Sequence, residues 1–105
     1  MVADMVHVQG TFYNVEVYKQ DHIKDLVQKN VSGKMDSYLK KTTQKKDAVV
    51  SIDYKVEKNK KNKYIAKFRL MLDGKQYVYA PNKPFKFEED LINHAFDHFK
   101  SSLAS

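Results

Sequence analysis

The chain has no cysteine, one arginine, two prolines and three glycines among its 105 residues. Without cysteine there are no disulfides, no thiolate metal site and no thiol chemistry. That absence fits a cytoplasmic location. The glycines (Gly10, Gly33 and Gly74) are scattered, so the chain has neither a phosphate-cradling glycine loop nor a glycine-flanked serine elbow. No apolar run approaches the ~20 residues of a membrane helix. The opening residues, MVADMVHVQG, lack the basic and apolar regions of a secretory signal. Arginine suits bidentate reading of base edges, whereas lysine is a point charge that suits phosphates. With Arg69 alone against eighteen lysines, sequence-specific reading of a duplex is not expected.

What the chain does have is charge of one sign, concentrated in one place. Its composition, 42% hydrophobic and 30% charged, is that of a globular domain rather than a disordered segment. Its length suits one domain spanning residues 1–105. From Lys55 to Arg69 there are seven basic residues (Lys55, Lys58, Lys60, Lys61, Lys63, Lys67 and Arg69) and one acid, Glu57, a net of +6. The whole chain is also +6, so the remaining residues balance at twelve basic and twelve acidic. A basic segment of this kind points to an anionic partner such as nucleic acid. The competing reading is a lysine surface that serves solubility alone.

The basic segment lies within Asp47 to Leu72, which reads as two strands around a lysine-rich connection. Val50, Ile52, Tyr54 and Val56 alternate with polar residues, and Tyr64, Ala66, Phe68, Leu70 and Leu72 do the same on the return. A period of two with one apolar side predicts half-buried antiparallel strands. A hairpin centred near Lys60 sets Asp53 opposite Lys67. Asp73-Gly74 is a two-residue hairpin signal. It predicts that Leu72 faces Lys75, Leu70 faces Tyr77 and Phe68 faces Tyr79. Cross-strand partners share a face, so Tyr77 and Tyr79 point inward and the open face carries Ser51, Lys55, Lys67 and Arg69 with no aromatic stack. That arrangement favours backbone phosphate contacts over base stacking.

Val6 to Gln9 is a short first strand stopped near Gly10, and Thr11 to Tyr18 is either its extension or a connection. Asp21 to Lys41 reads as an amphipathic helix, with Ile23, Leu26, Val27, Val31, Met35, Tyr38 and Leu39 as its stripe. Asp21 and Asp25 suit its start, Lys40 and Lys41 its end, and Gly33 marks a bend within it. Thr42 to Lys46 is a polar connection. Pro84 opens a second helix. Glu88, Glu89 and Asp90 load the first turns of that helix, and Ile92, Ala95, Phe96, Phe99 and Leu103 form its stripe. The expected fold is α+β, in the order βαβββα. Its first two strands join through a right-handed parallel crossover. A four-stranded mixed sheet carries both helices on one face.

Enzymatic chemistry has little to work with. His94 and His98 lie four apart on the last helix and are the best metal candidates, but the helix lacks the glutamate of a zincin motif. No cofactor, no metal and no small-molecule substrate are expected, and the chain reads as a non-enzyme.

Several segments resemble the ribosome hibernation-promoting factors, also called ribosome-associated inhibitor or sigma-54 modulation proteins. VHVQG with NVEVYKQDHIKDLV is similar to the family's first strand and helix start. DAVVSIDYKVEKN is similar to its second strand, LDGKQYVYA to its tight hairpin, and INHAFDHF to its final helix. The resemblance runs from about Val6 to Leu103 and is to the short form, without the long form's dimerising C-terminal domain. It implies a cytoplasmic protein, monomeric off the ribosome, that binds the small ribosomal subunit and its rRNA in the mRNA and tRNA channel and inhibits translation. Position by position, it implies RNA contacts at Lys24 and Lys34 on the first helix and at Lys55 and Lys58 on the second strand. His98 falls at a family lysine position and Ser101 at an arginine position. With Lys60, Lys61, Lys63, Lys67 and Arg69 from the basic segment, these make up the expected RNA-binding set. The alternative is a basic RNA- or protein-binding module of related fold that acts off the ribosome.

Overall fold

In a computed structural model, which describes residues 6–33, 35, 50–72 and 74–104, the chain forms β1 (Val6–Tyr13), α1 (Val17–Ser32), β2 (Val50–Lys58), β3 (Tyr64–Leu72), β4 (Lys75–Tyr79) and α2 (Glu88–Ala104). The four strands make one sheet in the order β1-β2-β3-β4. β1 runs parallel to β2, and the other neighbours are antiparallel. The helices pack on each other, and α2 lies against β3 and β4. The βαβββα order and its single covered sheet face match the expectation.

The alternation in sequence becomes the two faces of the sheet. Val50, Ile52, Tyr54, Val56, Tyr64, Phe68, Leu70 and Leu72 are buried, while Lys55, Lys67 and Arg69 are exposed on the other side. From the helices, Ile23, Val27 and Val31 of α1 and Leu91, Ile92, Ala95, Phe96 and Phe99 of α2 enter the same core. Burying each large side chain contributes about 1.5–3 kcal/mol over leaving it in water. An aromatic row crosses the inner face: Phe12 meets Tyr54 edge-on at 5.8 Å, Tyr54 stacks on Phe68 at 5.3 Å, and Phe68 lies 6.3 Å from Tyr79. Phe68 also meets Phe96 of α2 at 6.3 Å, which ties helix to sheet.

Gly10 makes this row possible. It pairs with Tyr54 across β1 and β2, and a Cβ there would fall on the Tyr54 ring, 2.6 Å from its hydroxyl oxygen. The glycine is therefore a seat for an aromatic ring rather than the end of a strand. β1 continues through it to Tyr13, which resolves Thr11 to Tyr13 as strand. Asn14, at φ 58°, then turns the chain toward α1 in a backbone conformation that asparagine tolerates. Val15 is buried, and its carbonyl accepts a 2.7 Å hydrogen bond from the Gln20 side chain.

Three boundaries differ from expectation. α1 starts at Val17, four residues before Asp21, so its first turn has no acid. It closes at Ser32, and the Gly33 amide donates to the Lys29 carbonyl at 2.9 Å. Gly33 thus ends the helix instead of bending it, as its poor helix propensity favours. Met35, just beyond, is buried. The rest of the expected helix, including Lys34, Tyr38, Leu39, Lys40 and Lys41, lies outside the described residues, as does the Thr42 to Lys46 connection. Pro84 precedes α2 without starting it. Phe85 pairs with Tyr64 in an isolated bridge, with backbone bonds of 2.7 and 2.8 Å, and the helix begins at Glu88.

β3 and β4 pair as Leu72 with Lys75, Leu70 with Tyr77 and Phe68 with Tyr79, as expected. Gly74 stands at φ +85°, the positive region that favours glycine. Asp73 lies outside the described residues.

Candidate nucleic-acid interface

The β2–β3 hairpin differs in register from a turn centred on Lys60. Lys58 pairs with Tyr64, which centres the turn on Lys61. Arg69, not Lys67, stands opposite Asp53, and their side chains form a 2.9 Å ion pair. The turn chemistry explains the shift. The Asn59 amide donates to the Lys63 carbonyl at 2.8 Å, and the Asn62 amide donates to the Asn59 carbonyl at 3.0 Å. Asn62 takes φ 60°. The Asn59 side-chain oxygen accepts from the amides of Lys61 and Lys63 at 2.9 and 3.0 Å. These bonds close the five-residue loop, which presents Lys60, Lys61 and Lys63 to solvent. The two-residue register change preserves which side chains face the core.

Lys58 stands one step inside the tip and contacts the Glu16 carboxylate at 3.3 Å. The Tyr18 hydroxyl and the Lys58 ammonium hold the Glu16 carboxyl below its usual range. A pair this open to solvent is screened and contributes little, so a phosphate can displace it at little cost. Asn14, Lys58, Asn59, Lys60 and Asn62 line a shallow depression of about 330 Å³ beside the tip.

The second basic surface is the open sheet face. Lys55 and Lys67 are directly opposed across β2 and β3. Arg69 lies on the same face with its guanidinium held by Asp53. Thr11, Asp53, Lys55, Lys67, Arg69 and Gln76 line a depression of about 310 Å³, with Tyr54 at its base. This face also carries an aromatic ring that sequence reasoning left off it. Tyr13, 47% exposed, lies 4.7 Å from the Lys55 ammonium by its ring centre. The expectation of an open face without an aromatic is therefore corrected, because β1 runs past Gly10 and keeps its alternation. The signal was legible: Val6, Val8, Gly10 and Phe12 share one face, which sends Tyr13 to the other.

The structure does not gather the whole expected set. Lys24 and His98 lie on the helices, on the covered side of the sheet. The Lys24 ammonium is 5.8 Å from the Phe12 ring centre. His98 lies against Tyr79 at 5.3 Å and Phe99 at 5.8 Å. Lys34 lies outside the described residues. His94 contacts Phe85 at 5.1 Å. Among the described residues, no group of three histidine, aspartate or glutamate side chains is placed to hold a metal. No described helix is long and apolar enough to cross a membrane.

A half-buried ion pair braces this end of the molecule. Glu88, at the start of α2, receives hydrogen bonds from the Lys19 ammonium at 3.0 and 3.2 Å, and His22 Nδ1 lies 3.3 Å away. Burial works against ionisation of Glu88, but the Lys19 hydrogen bond, its backbone contact and the nearby positive charge outweigh it and hold the carboxyl below its usual range. The pair fixes the starts of both helices relative to each other, and Lys58, through Glu16, joins the hairpin to the start of α1.

The fold and the site define a class: a βαβββα domain that presents a lysine-tipped hairpin and a basic, uncovered sheet face. The same fold occurs in the crystal structure of the N-terminal domain of Thermus thermophilus Protein Y, which superimposes with a TM-score of 0.67 at 18% sequence identity, over 90% of this chain and 91% of that one. At that identity the likeness is one of fold. No family model matches the chain, and no curated protein sequence matches it.

Proposed function

We propose that the chain is a non-enzymatic ribosome-binding stress or hibernation factor. It occupies the mRNA and tRNA channel of the small subunit, holds rRNA phosphates with its lysines, and excludes tRNA by its bulk. The observation that carries this reading is the braced hairpin tip. Lys60, Lys61 and Lys63 project from a loop closed by Asn59, with no acid paired to them among the described residues. An ordered loop loses less conformational freedom on binding than a floppy one. Lysine phosphate contacts position a protein without reading sequence, which suits a partner recognised by shape. The resemblance to hibernation-promoting factors implies a βαβββα fold with both helices on one sheet face, and the fold described above agrees with it.

Sedimentation of cell extract containing tagged protein tests the proposal. The protein is expected with small subunits and whole ribosomes at low salt, and is expected to leave them as salt rises, because each phosphate contact releases counterions. Protein that stays at the top of the gradient at low salt contradicts ribosome binding. If that protein still shifts RNA in a gel, it is the off-ribosome module instead.

A further inference from the structure

Lys55 and Lys67 face each other directly across two antiparallel strands. Like charges in that position destabilise a sheet. Among the described residues neither is paired with an acid, because the nearby Asp53 is committed to Arg69. The depression they border also offers the Thr11 hydroxyl and the Gln76 amide. Outside that lining, Tyr13 is half-exposed on the same face, with the Lys55 ammonium 4.7 Å from its ring centre. Two unpaired cations, neutral hydrogen-bonding groups and one accessible aromatic face are the components of a nucleotide site. The cations take phosphate, and the ring takes an unstacked base.

We propose that this open face binds an unpaired nucleotide of RNA, with the base stacked on Tyr13 and the flanking phosphate between Lys55 and Lys67. The inference rests on the RNA-binding reading above and sharpens it: the preferred RNA at this face is single-stranded. A paired base is already stacked within its helix and cannot reach Tyr13. The Lys55 contact with Tyr13 costs little to rearrange, since such contacts at exposed sites contribute little.

Fluorescence anisotropy with a labelled oligouridine and a fully paired RNA duplex of equal phosphate number tests the site. Wild-type protein is expected to prefer the oligouridine. Tyr13→Ala is expected to weaken oligouridine binding by about fivefold or more, the scale of one lost base stack, and duplex binding by less than about twofold. Tyr13→Phe, which keeps the ring, is expected to bind like wild type. Tyr13→Leu, which keeps apolar bulk without a flat face, is expected to bind like the alanine variant and guards against a folding artefact. Lys55→Ala with Lys67→Ala is expected to flatten the salt dependence for oligouridine by about 0.7 log units per lysine. Wild-type protein that binds RNA while Tyr13→Ala leaves the oligouridine affinity unchanged, or weakens both probes alike, overturns the site and leaves the RNA reading standing. Wild-type protein that binds neither probe overturns both.

Discussion

Replacing Gly10 with alanine should destabilise this protein, although strand propensity alone predicts the opposite. Alanine is favoured over glycine within a strand by about 0.5–1 kcal/mol, because glycine loses more backbone freedom on folding. Here the added methyl would overlap the Tyr54 ring, with its Cβ 2.6 Å from the hydroxyl oxygen. Tyr54 cannot easily withdraw, because it is stacked on Phe68 at 5.3 Å and braced edge-on by Phe12 at 5.8 Å. Overpacking a dense core costs about 1–3 kcal/mol. The net expectation is a loss of about 1–2 kcal/mol, or roughly 4–15 °C in Tm for a domain of this size. Urea unfolding of Gly10→Ala, Tyr54→Leu and the double variant isolates the cause. In the Tyr54→Leu background the ring is gone, so Gly10→Ala should become neutral or mildly stabilising. The two sites should therefore show a coupling of about 1–3 kcal/mol. A Gly10→Ala protein that is more stable than wild type, or two substitutions whose effects simply add, would refute the view that Gly10 is the seat of the Tyr54 ring.

Other perturbations follow from the same contacts. Glu88→Gln should cost about 1–2 kcal/mol, because it removes the acid that gathers Lys19 and His22 at the start of α2. The Glu88 carboxyl ionises below its ordinary 4.5 in the folded state. Its contribution is therefore present at neutral pH and lost as pH falls below about 4.5, a loss that denaturation curves should show for wild type and not for Glu88→Gln. At the other end of the scale, burial pushes the Tyr54 hydroxyl up to about 12. Stability should hold below pH 10 and fall as pH rises towards 12, and Tyr54→Phe should lose less over that window. Asn59→Ala removes the acceptor for the Lys61 and Lys63 amides. It should cost about 1–2 kcal/mol in thermal or urea unfolding and should weaken RNA binding in a gel shift by loosening the lysine-bearing loop.

Much of the fold was legible because binary patterning and turn chemistry agreed. The Phe68–Tyr79 and Leu70–Tyr77 pairs came from a two-residue connection and one apolar face. The α2 stripe of Ile92, Ala95, Phe96 and Phe99 is buried as its spacing predicted. The misreadings share a physical origin: local propensity was overridden by packing. Gly10 looked like punctuation but is required by a ring on the neighbouring strand. The start of α1 was hidden because its first turn carries Val17, Tyr18, Lys19 and Gln20 rather than acids, and its anchor is the buried Val15 with the Gln20 side chain. The partner of Asp53 depended on how Asn59 and Asn62 close their loop, which strand alternation does not specify. At the candidate interface the lysine load of the hairpin was plain in the sequence. The place of Tyr13 beside Lys55 was also written in the alternation of β1, but stopping that strand near Gly10 hid it.

Competition with tRNA tests most directly the proposed occlusion of the small-subunit channel by lysines that grip rRNA phosphates. Purified small subunits programmed with mRNA and labelled tRNA would be titrated with wild-type protein and with a variant carrying Lys60→Glu, Lys61→Glu and Lys63→Glu, both first checked for equal thermal stability. Wild-type protein is expected to displace tRNA at low salt, and the reversed-charge tip is expected not to. Wild-type protein that binds the subunit without displacing tRNA, or a reversed tip that competes as well as wild type, would contradict it.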